Sequence, residues 1–395
     1  MMIRLVFAAV SLVLAFCTGK LRAQEVAASD TVAAVPEIAA ADAVSIQIDV
    51  AHSGVTQFAA APKFPLTEAW RIEFDGLVSY PLIAGGRVYV TVANSGSYGS
   101  TLYALDAKDG SKLWSAVIEG TYYWSGAAYE SGQVFVVNFD GLLKAFEANT
   151  GKLNWSVQVA NEYFVTSPPV AHAGLVYVEG DGSGTLTAYR TFNGALAWTQ
   201  SIAAGDGAPA VSSKGIFTYS PCQVFAYNPA SGAPLWRFTG NCDGGGGTTP
   251  VYANDRLYVS DPTGSGNQIF NSFTGRVTGT FEQYAGPPTV GKSEAYFLAN
   301  GTVEAVALPA NNVLWSFAGD GGISQLPIQV NGTLFVGSSS GLLWGLNAAT
   351  GHQVWSTNVG APIEMNDCCT GPNTGLAASR GLLVVPATNS LVAYH

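Results

Sequence analysis

A tryptophan returns about every forty residues along this chain, each time ten positions after an alanine or glycine and beyond a turn usually built on glycine. The pairs are Ala104 and Trp114, Ala145 and Trp155, Ala188 and Trp198, Ala226 and Trp236, Ala305 and Trp315, and Gly345 and Trp355. A period of this size means one supersecondary unit copied many times, so the chain must fold as an array. The unit reads clearly from Pro327 to Val359: four short β-rich runs separated by Asn331-Gly332, Ser338 to Gly341 and Asn347 to Gly351. That is the pattern of an antiparallel four-stranded meander, with strands lettered A to D in chain order.

Unit starts fall near Pro81, Gly126, Pro168, Pro209, Pro250, Pro287, Pro327 and Leu376, and the last unit stops after its third strand at His395. The missing fourth strand, with its tryptophan, stands at the other end of the chain, in Glu68 to Phe74 around Trp70. Closing the ring through that strand removes the unpaired sheet edges that an open array would leave. The expected fold is therefore all-β, an eight-bladed β-propeller over residues 66–395. Trp70, Trp114, Trp155, Trp198, Trp236, Trp315 and Trp355 are expected to dock neighbouring blades, with a small residue leaving room for each indole. One unit departs from the pattern: Gly279 stands where tryptophan is expected and Ile269 where alanine is expected, so that contact should be looser or differently filled.

The runs Ala104 to Trp114, Ala145 to Trp155 and Gly345 to Trp355 resemble the tryptophan-docking repeat of the PQQ-like propeller superfamily. That superfamily includes quinone-dependent alcohol dehydrogenases and the non-enzymatic propeller of the outer-membrane barrel assembly machine, often called BamB. The resemblance covers residues 66–395 and implies the fold. It implies activity only loosely, because the docking repeat builds blades and does not hold the quinone.

The N-terminus reads as a secretory signal over residues 1–23: Arg4, an apolar stretch from Leu5 to Phe16, and Leu21-Arg22-Ala23 before cleavage. Phe16 is too large to suit a lipoprotein site at Cys17, where small residues are usual. Residues 24–65 are expected to be a flexible lead-in, and no segment of the mature chain is apolar enough to span a membrane. The expected location is periplasmic or extracellular. The whole chain carries 17 basic and 27 acidic residues, a net charge of −10. An acidic surface argues against nucleic acid as a partner. A monomer engaging a protein partner is expected.

Cys222 begins strand C of the fourth unit and Cys242 follows its strand D, so antiparallel pairing makes a disulfide plausible in an exported chain. Cys368 and Cys369 are adjacent in the loop entering the last unit, and are further disulfide candidates. Neither pair has a nearby histidine to complete a zinc site, and no metal site is expected.

In a propeller the D–A and B–C loops gather at one end of the central channel. Here they carry Tyr122, Tyr123 and Trp124, then Tyr163 and Phe164, with Asp243, Asp320 and Asp367 as acidic members. Three aromatics in one short loop are costly to expose without use, so this rim is the candidate binding face. No catalytic residue is assigned: the four histidines are scattered and no hydrolase elbow or metalloprotease motif occurs. The expected function is an exported binding or scaffold module without catalysis and without a cofactor. The alternative implied by the resemblance is a dehydrogenase of alcohols or sugars using PQQ with Ca2+; a carbohydrate-binding propeller is a second alternative.

Overall fold

The computed structural model describes residues 42–203, 205–220, 222–241, 247–260, 267–281, 285–365 and 371–395. Its strands form eight sheets, seven of them four-stranded meanders or their closed equivalent and one carrying a fifth strand. No helix occurs among the described residues. The first blade runs Leu82–Ala84, Arg87–Ala93, Ser100–Asp106 and Lys112–Ile118. The next six begin at Ser125, Val170, Ala210, Val251, Ala285 and Ile328, each within two residues of the expected start. In the eighth, Ala377–Ser379, Leu382–Ala387 and Ser390–Tyr394 are completed by Glu68–Glu73, which pairs antiparallel with Ser390–Tyr394. The ring closes as the displaced strand motif requires.

Each small residue faces its tryptophan directly across strands C and D: Ala104 opposite Trp114, Ala188 opposite Trp198, Gly345 opposite Trp355 and Ala393 opposite Trp70. The indole then reaches the next blade and lies over the glycine of its C–D turn. The Trp114 indole covers Gly151, Trp155 covers Gly194, and Trp315 covers Gly351. Six of the seven, all but Trp355, also donate their Nε1–H to a carbonyl of that turn, among them Trp70 to Ala107 at 3.0 Å, Trp155 to Thr191 at 2.8 Å and Trp236 to Ser272 at 2.7 Å. The docking unit is therefore an indole, a side-chain-free turn and one hydrogen bond, satisfying a carbonyl that the tight turn leaves over.

At the irregular blade both halves of this unit change together. Gly279 sits opposite Ile269 in the tryptophan position. The next blade's turn has Asn311 where the others have glycine, at φ 59°. The hydrogen bond survives with its direction reversed, Asn311 Nδ2 donating to the Thr280 carbonyl at 2.6 Å. Phe281 and Phe297, ring centroids 5.0 Å apart, fill the apolar space.

The expected flexible lead-in is corrected from Asp42 onward. Residues 43–56 cross the hub of the ring and bond to one inner strand after another. Ala43 exchanges two backbone hydrogen bonds with Ile83 of blade 1, and Tyr129 N–H of blade 2 donates to Val44. Val211, Tyr252 and Val290 of blades 4, 5 and 6 donate to Val50, Ala51 and Ser53. Val55–Thr56 runs parallel to Ile328–Val330 of blade 7. Val44 and Val50 pack with Val170 and Leu175 of blade 3, and Asp42 pairs with Arg380 of blade 8 at 2.9 Å. The segment meets the ends of the A strands beside the A–B turns, so it plugs the end of the channel opposite the D–A and B–C loops. His52, fully buried, pins it: Nδ1 lies 2.9 Å from the Ile46 carbonyl and Nε2 3.1 Å from that of Pro209. Burial holds its pKa below the ordinary histidine value, against the pull of the Ile46 carbonyl and Asp49.

Candidate binding face

The D–A and B–C loops interlock at the open end. Thr121, ahead of blade 2, donates its N–H and hydroxyl to Asp140 in that blade's B–C loop. Asn138 spans the same junction, donating to the Glu119 carbonyl at 2.6 Å and accepting from Leu142 N–H at 2.7 Å. Asp320 clamps blade 6 to blade 7, accepting from Gly322 N–H at 2.9 Å and from the Ser338 and Ser340 hydroxyls. Burial raises its pKa, yet those donors more than offset it and hold it below the ordinary carboxylate value. Asp320 is thus a loop brace.

The aromatic residues divide. Trp124 is fully buried and donates from Nε1 to Asn373 Oδ1 at 2.6 Å, tying the entry of blade 2 to the loop before blade 8. The expectation that it lines a contact surface is corrected: its indole belongs to the core. Tyr122 and Tyr163 are exposed, the latter 70% so, while Tyr123 and Phe164 are half-buried. The structure adds Tyr98, 61% exposed, and Phe139, both in B–C loops. Together they form one strip. Tyr98 lies 5.2 Å from Tyr123 and 6.1 Å from Tyr122, Tyr122 lies 4.2 Å from Phe139, and Phe139 lies 4.7 Å from Phe164. Tyr163 follows, its hydroxyl donating to the Gly182 carbonyl at 3.1 Å. The sequence signal for Tyr98 and Phe139 was their place in B–C loops facing the chosen D–A loops.

Beyond the strip is a group of acids at the seam of blades 3 and 4. Glu162 is a satisfied brace, accepting from Ser183 N–H, Thr185 N–H and the Thr185 hydroxyl at 3.0, 3.1 and 2.7 Å. Among the described residues Glu179, 1% exposed, has no hydrogen-bond partner on either carboxyl oxygen, and Asp181 has none on Oδ1. Burial, then Asp181 and Asp206, push the Glu179 pKa well above the carboxylate range. Burial and the neighbouring Asp206 push Asp181 up to about 7, despite a hydrogen bond from Thr166. Asp181 lies in a B–C loop and Asp206 in a D–A loop, whereas Glu179 sits inside the apolar strand B Leu175–Gly180 and was not among the expected rim residues.

Asp243, Asp367, Cys242, Cys368 and Cys369 lie outside the described residues. Cys222 immediately precedes strand C of blade 4, where its carbonyl accepts from Gly240 N–H at 2.7 Å. Among the described residues no three acidic, histidine or cysteine side chains are grouped as a metal site, and no helix is long and apolar enough to cross a membrane.

Ring, docked tryptophans and displaced closing strand define an eight-bladed propeller of the PQQ-like superfamily. The family model described as "Outer membrane protein assembly factor BamB" matches residues 47–123, 120–216, 182–297 and 299–395, and the chain belongs to that family. Curated relatives reach into other functions. A quinohemoprotein alcohol dehydrogenase, ADH-IIG of Pseudomonas putida, is 30% identical over 35% of this chain and 22% of its own length. The tetrathionate hydrolase of Acidithiobacillus ferrooxidans is 26% identical over 72% of this chain and 50% of its own. The chain thus spans half or less of the length of these relatives. Among solved structures, BamB from Moraxella catarrhalis superposes with a TM-score of 0.64 at 20% identity, covering 84% of this chain and 97% of that one, a likeness of fold.

Proposed function

We propose that this chain is an exported, non-catalytic propeller that engages a protein partner through the end of the ring formed by the D–A and B–C loops. The observation that carries the reading is the aromatic strip from Tyr123 through Tyr98, Tyr122, Phe139 and Phe164 to Tyr163, which leaves large ring faces in solvent across three blades. Exposed Tyr and Phe clusters are the usual anchors of protein interfaces. The hub plug agrees with it, because residues 43–56 occupy the opposite end of the ring. Family membership favours the same reading, since the matching model is named for an assembly factor at the outer membrane. The secretory pattern over residues 1–23 supports export. A Cys222–Cys242 disulfide belongs to the proposal, supported by the Cys222 sulfur not being free. Mass spectrometry without reduction should find that crosslink; free thiols at both would remove it.

Replacing Tyr98, Tyr122 and Tyr163 together by alanine should abolish capture of envelope proteins by the immobilised mature chain, with an unchanged melting temperature. Unchanged capture would refute the surface.

A second reading, a PQQ-dependent dehydrogenase, is favoured by the 30% identity to the quinohemoprotein enzyme. PQQ in such an enzyme acts with Ca2+, and among the described residues no three acidic, histidine or cysteine side chains are grouped to mark a site for that ion. Calorimetric titration of the mature chain with quinone and Ca2+, followed by dye-linked alcohol oxidation, separates the readings: one-to-one binding with turnover would replace the scaffold reading.

A further inference from the structure

We infer that the seam of blades 3 and 4 at the aromatic end is a binding site for an organic cation, the guanidinium or ammonium group of a side chain presented by a protein partner. The inference rests on the partner-binding reading and names the chemistry that partner brings.

Three carboxyls are stacked by depth at this seam. Asp206, in the loop entering blade 4, and Asp181 are partly exposed; Glu179, 1% exposed, forms the floor. Leaving a buried polar group without a partner costs about 1–3 kcal/mol, more for a charge. Glu179 leaves both oxygens in that state and Asp181 one. No ion pair relieves them: among the described residues the pairs are Arg71 with Glu68 and Arg380 with Asp42, on another blade. The neighbouring backbone is cut back to match. Gly205 stands directly over the floor, and a Cβ there would overlap Glu179 Oε2. Asp181 accepts from the Thr166 hydroxyl and Asp206 from Gly247 N–H at 3.3 Å, so the unmet demand falls on the Glu179 carboxyl beneath them, and acids kept together over such a floor are the complement of a cation.

The shape selects an organic cation over a metal ion. Ca2+ needs six to eight oxygens converging at about 2.3–2.6 Å, and no described trio of acids is so grouped. A guanidinium spreads five donors over a plane and can bond to separated carboxyls while stacking on an aromatic face. Such a face is at hand. Asp181 N–H donates to the Phe164 carbonyl at 3.0 Å, and a Cβ at Gly182 would lie 3.0 Å from the Tyr163 ring. The aromatic strip therefore ends on the same loop pair that carries the acids. The partner segment that fits is a basic residue flanked by apolar or aromatic ones, attracted by an acidic chain.

Occupancy is coupled to protons. Burial, with Asp206 nearby, holds Asp181 at about 7 and Glu179 well above the ordinary carboxylate range, so Asp181 is substantially protonated in the empty site below pH 7 and Glu179 resists ionisation. A bound cation favours their ionised forms, so binding releases protons and tightens as pH rises toward 7, by up to about tenfold per unit for each proton released.

The test is calorimetry on the full mature chain with acetyl-Phe-Arg-Phe-amide and its isosteric neutral analogue acetyl-Phe-citrulline-Phe-amide, in buffers of different ionisation heat. The arginine peptide should bind at least tenfold tighter than the citrulline one and release protons at pH 6.5. Asp206→Asn should erase that preference, and Tyr163→Ala should weaken both peptides. Equal affinity for the two peptides, or no proton release, would overturn the inference. So would displacement of the peptide by stoichiometric Ca2+, which would make this a metal site, or free arginine binding as tightly as the peptide, which would make the ligand a small amine. If the peptides are not distinguished while the Tyr98, Tyr122 and Tyr163 replacements still abolish envelope-protein capture, the partner reading stands and only the cation site fails.

Discussion

The blade-docking unit can be tested at two glycines of the same blade. Gly351 and Gly332 both sit at positive φ, 72° and 78°, in the C–D and A–B turns of blade 7. Alanine pays the left-handed backbone penalty at either site, about 1–2 kcal/mol. They differ in what a Cβ would meet. At Gly332 nothing lies within 4 Å; at Gly351 the Trp315 ring atoms Cδ2 and Cε3 lie at 2.6 Å. The indole must therefore move, which costs about 1–3 kcal/mol for overpacking. Its Nε1 bond to the Ala348 carbonyl, 3.1 Å, is lost or stretched, for about a further 1 kcal/mol. Gly332→Ala should lose about 1–2 kcal/mol and Gly351→Ala about 3–6 kcal/mol. Urea unfolding followed by tryptophan fluorescence and circular dichroism compares the two, wherever both probes report one transition. Equal losses would mean that the turn needs glycine for its backbone alone, and the docking argument would be wrong.

Rebuilding the irregular blade should strengthen it: Gly279→Trp with Ile269→Ala and Asn311→Gly supplies indole, slot and turn, and should raise the melting temperature, whereas Gly279→Trp alone should not. His52→Ala should cost about 2–3 kcal/mol through the one carbonyl hydrogen bond its neutral ring can donate and the cavity left behind, and should expose residues 43–56 to proteolysis in the otherwise folded ring. Because the folded His52 pKa is lowered, its contribution should fade on acidification below the unfolded value near 6.5, read as a pH-dependent melting temperature that the variant lacks. Asp181 has the opposite sign: its folded pKa is raised to about 7, so stability declines as pH rises from about 4 to 7, and Asp181→Asn should flatten that decline and exceed the wild type at pH 8.

What could be read from the sequence follows the range of the interactions. Blades were legible because each is a local meander with its own turns and a fixed tryptophan. Closure was legible because the strand around Trp70 carries the missing motif. The hub plug was not, although Val44, Ile46, Ile48 and Val50 alternate as a strand does: its partners are single backbone groups drawn from many blades, which leave no local pattern. Trp124 was misplaced for a related reason. Its burial depends on Asn373, 249 residues away, whereas its neighbours Tyr122 and Tyr123 look identical in composition. Glu179 carried a usable signal, a lone acid in the otherwise apolar strand Leu175–Gly180.

The two fastenings of the ring differ in how they would bear load. The closing strand Glu68–Glu73 lies along Ser390–Tyr394, so a pull along its axis strains several ladder bonds at once and meets the resistance of shear. The hub segment is attached by one or two backbone bonds each to blades 1, 2, 4, 5 and 6, by packing alone to blade 3, and by a short parallel pairing to blade 7. Tension applied ahead of Asp42 loads the Arg380 pair and Ala43 first, then Val44, then each later contact in turn, ending at Val55–Thr56 on blade 7. It would peel like a zipper at low force and leave the closed ring standing, so the central channel could be unstoppered mechanically without opening the propeller.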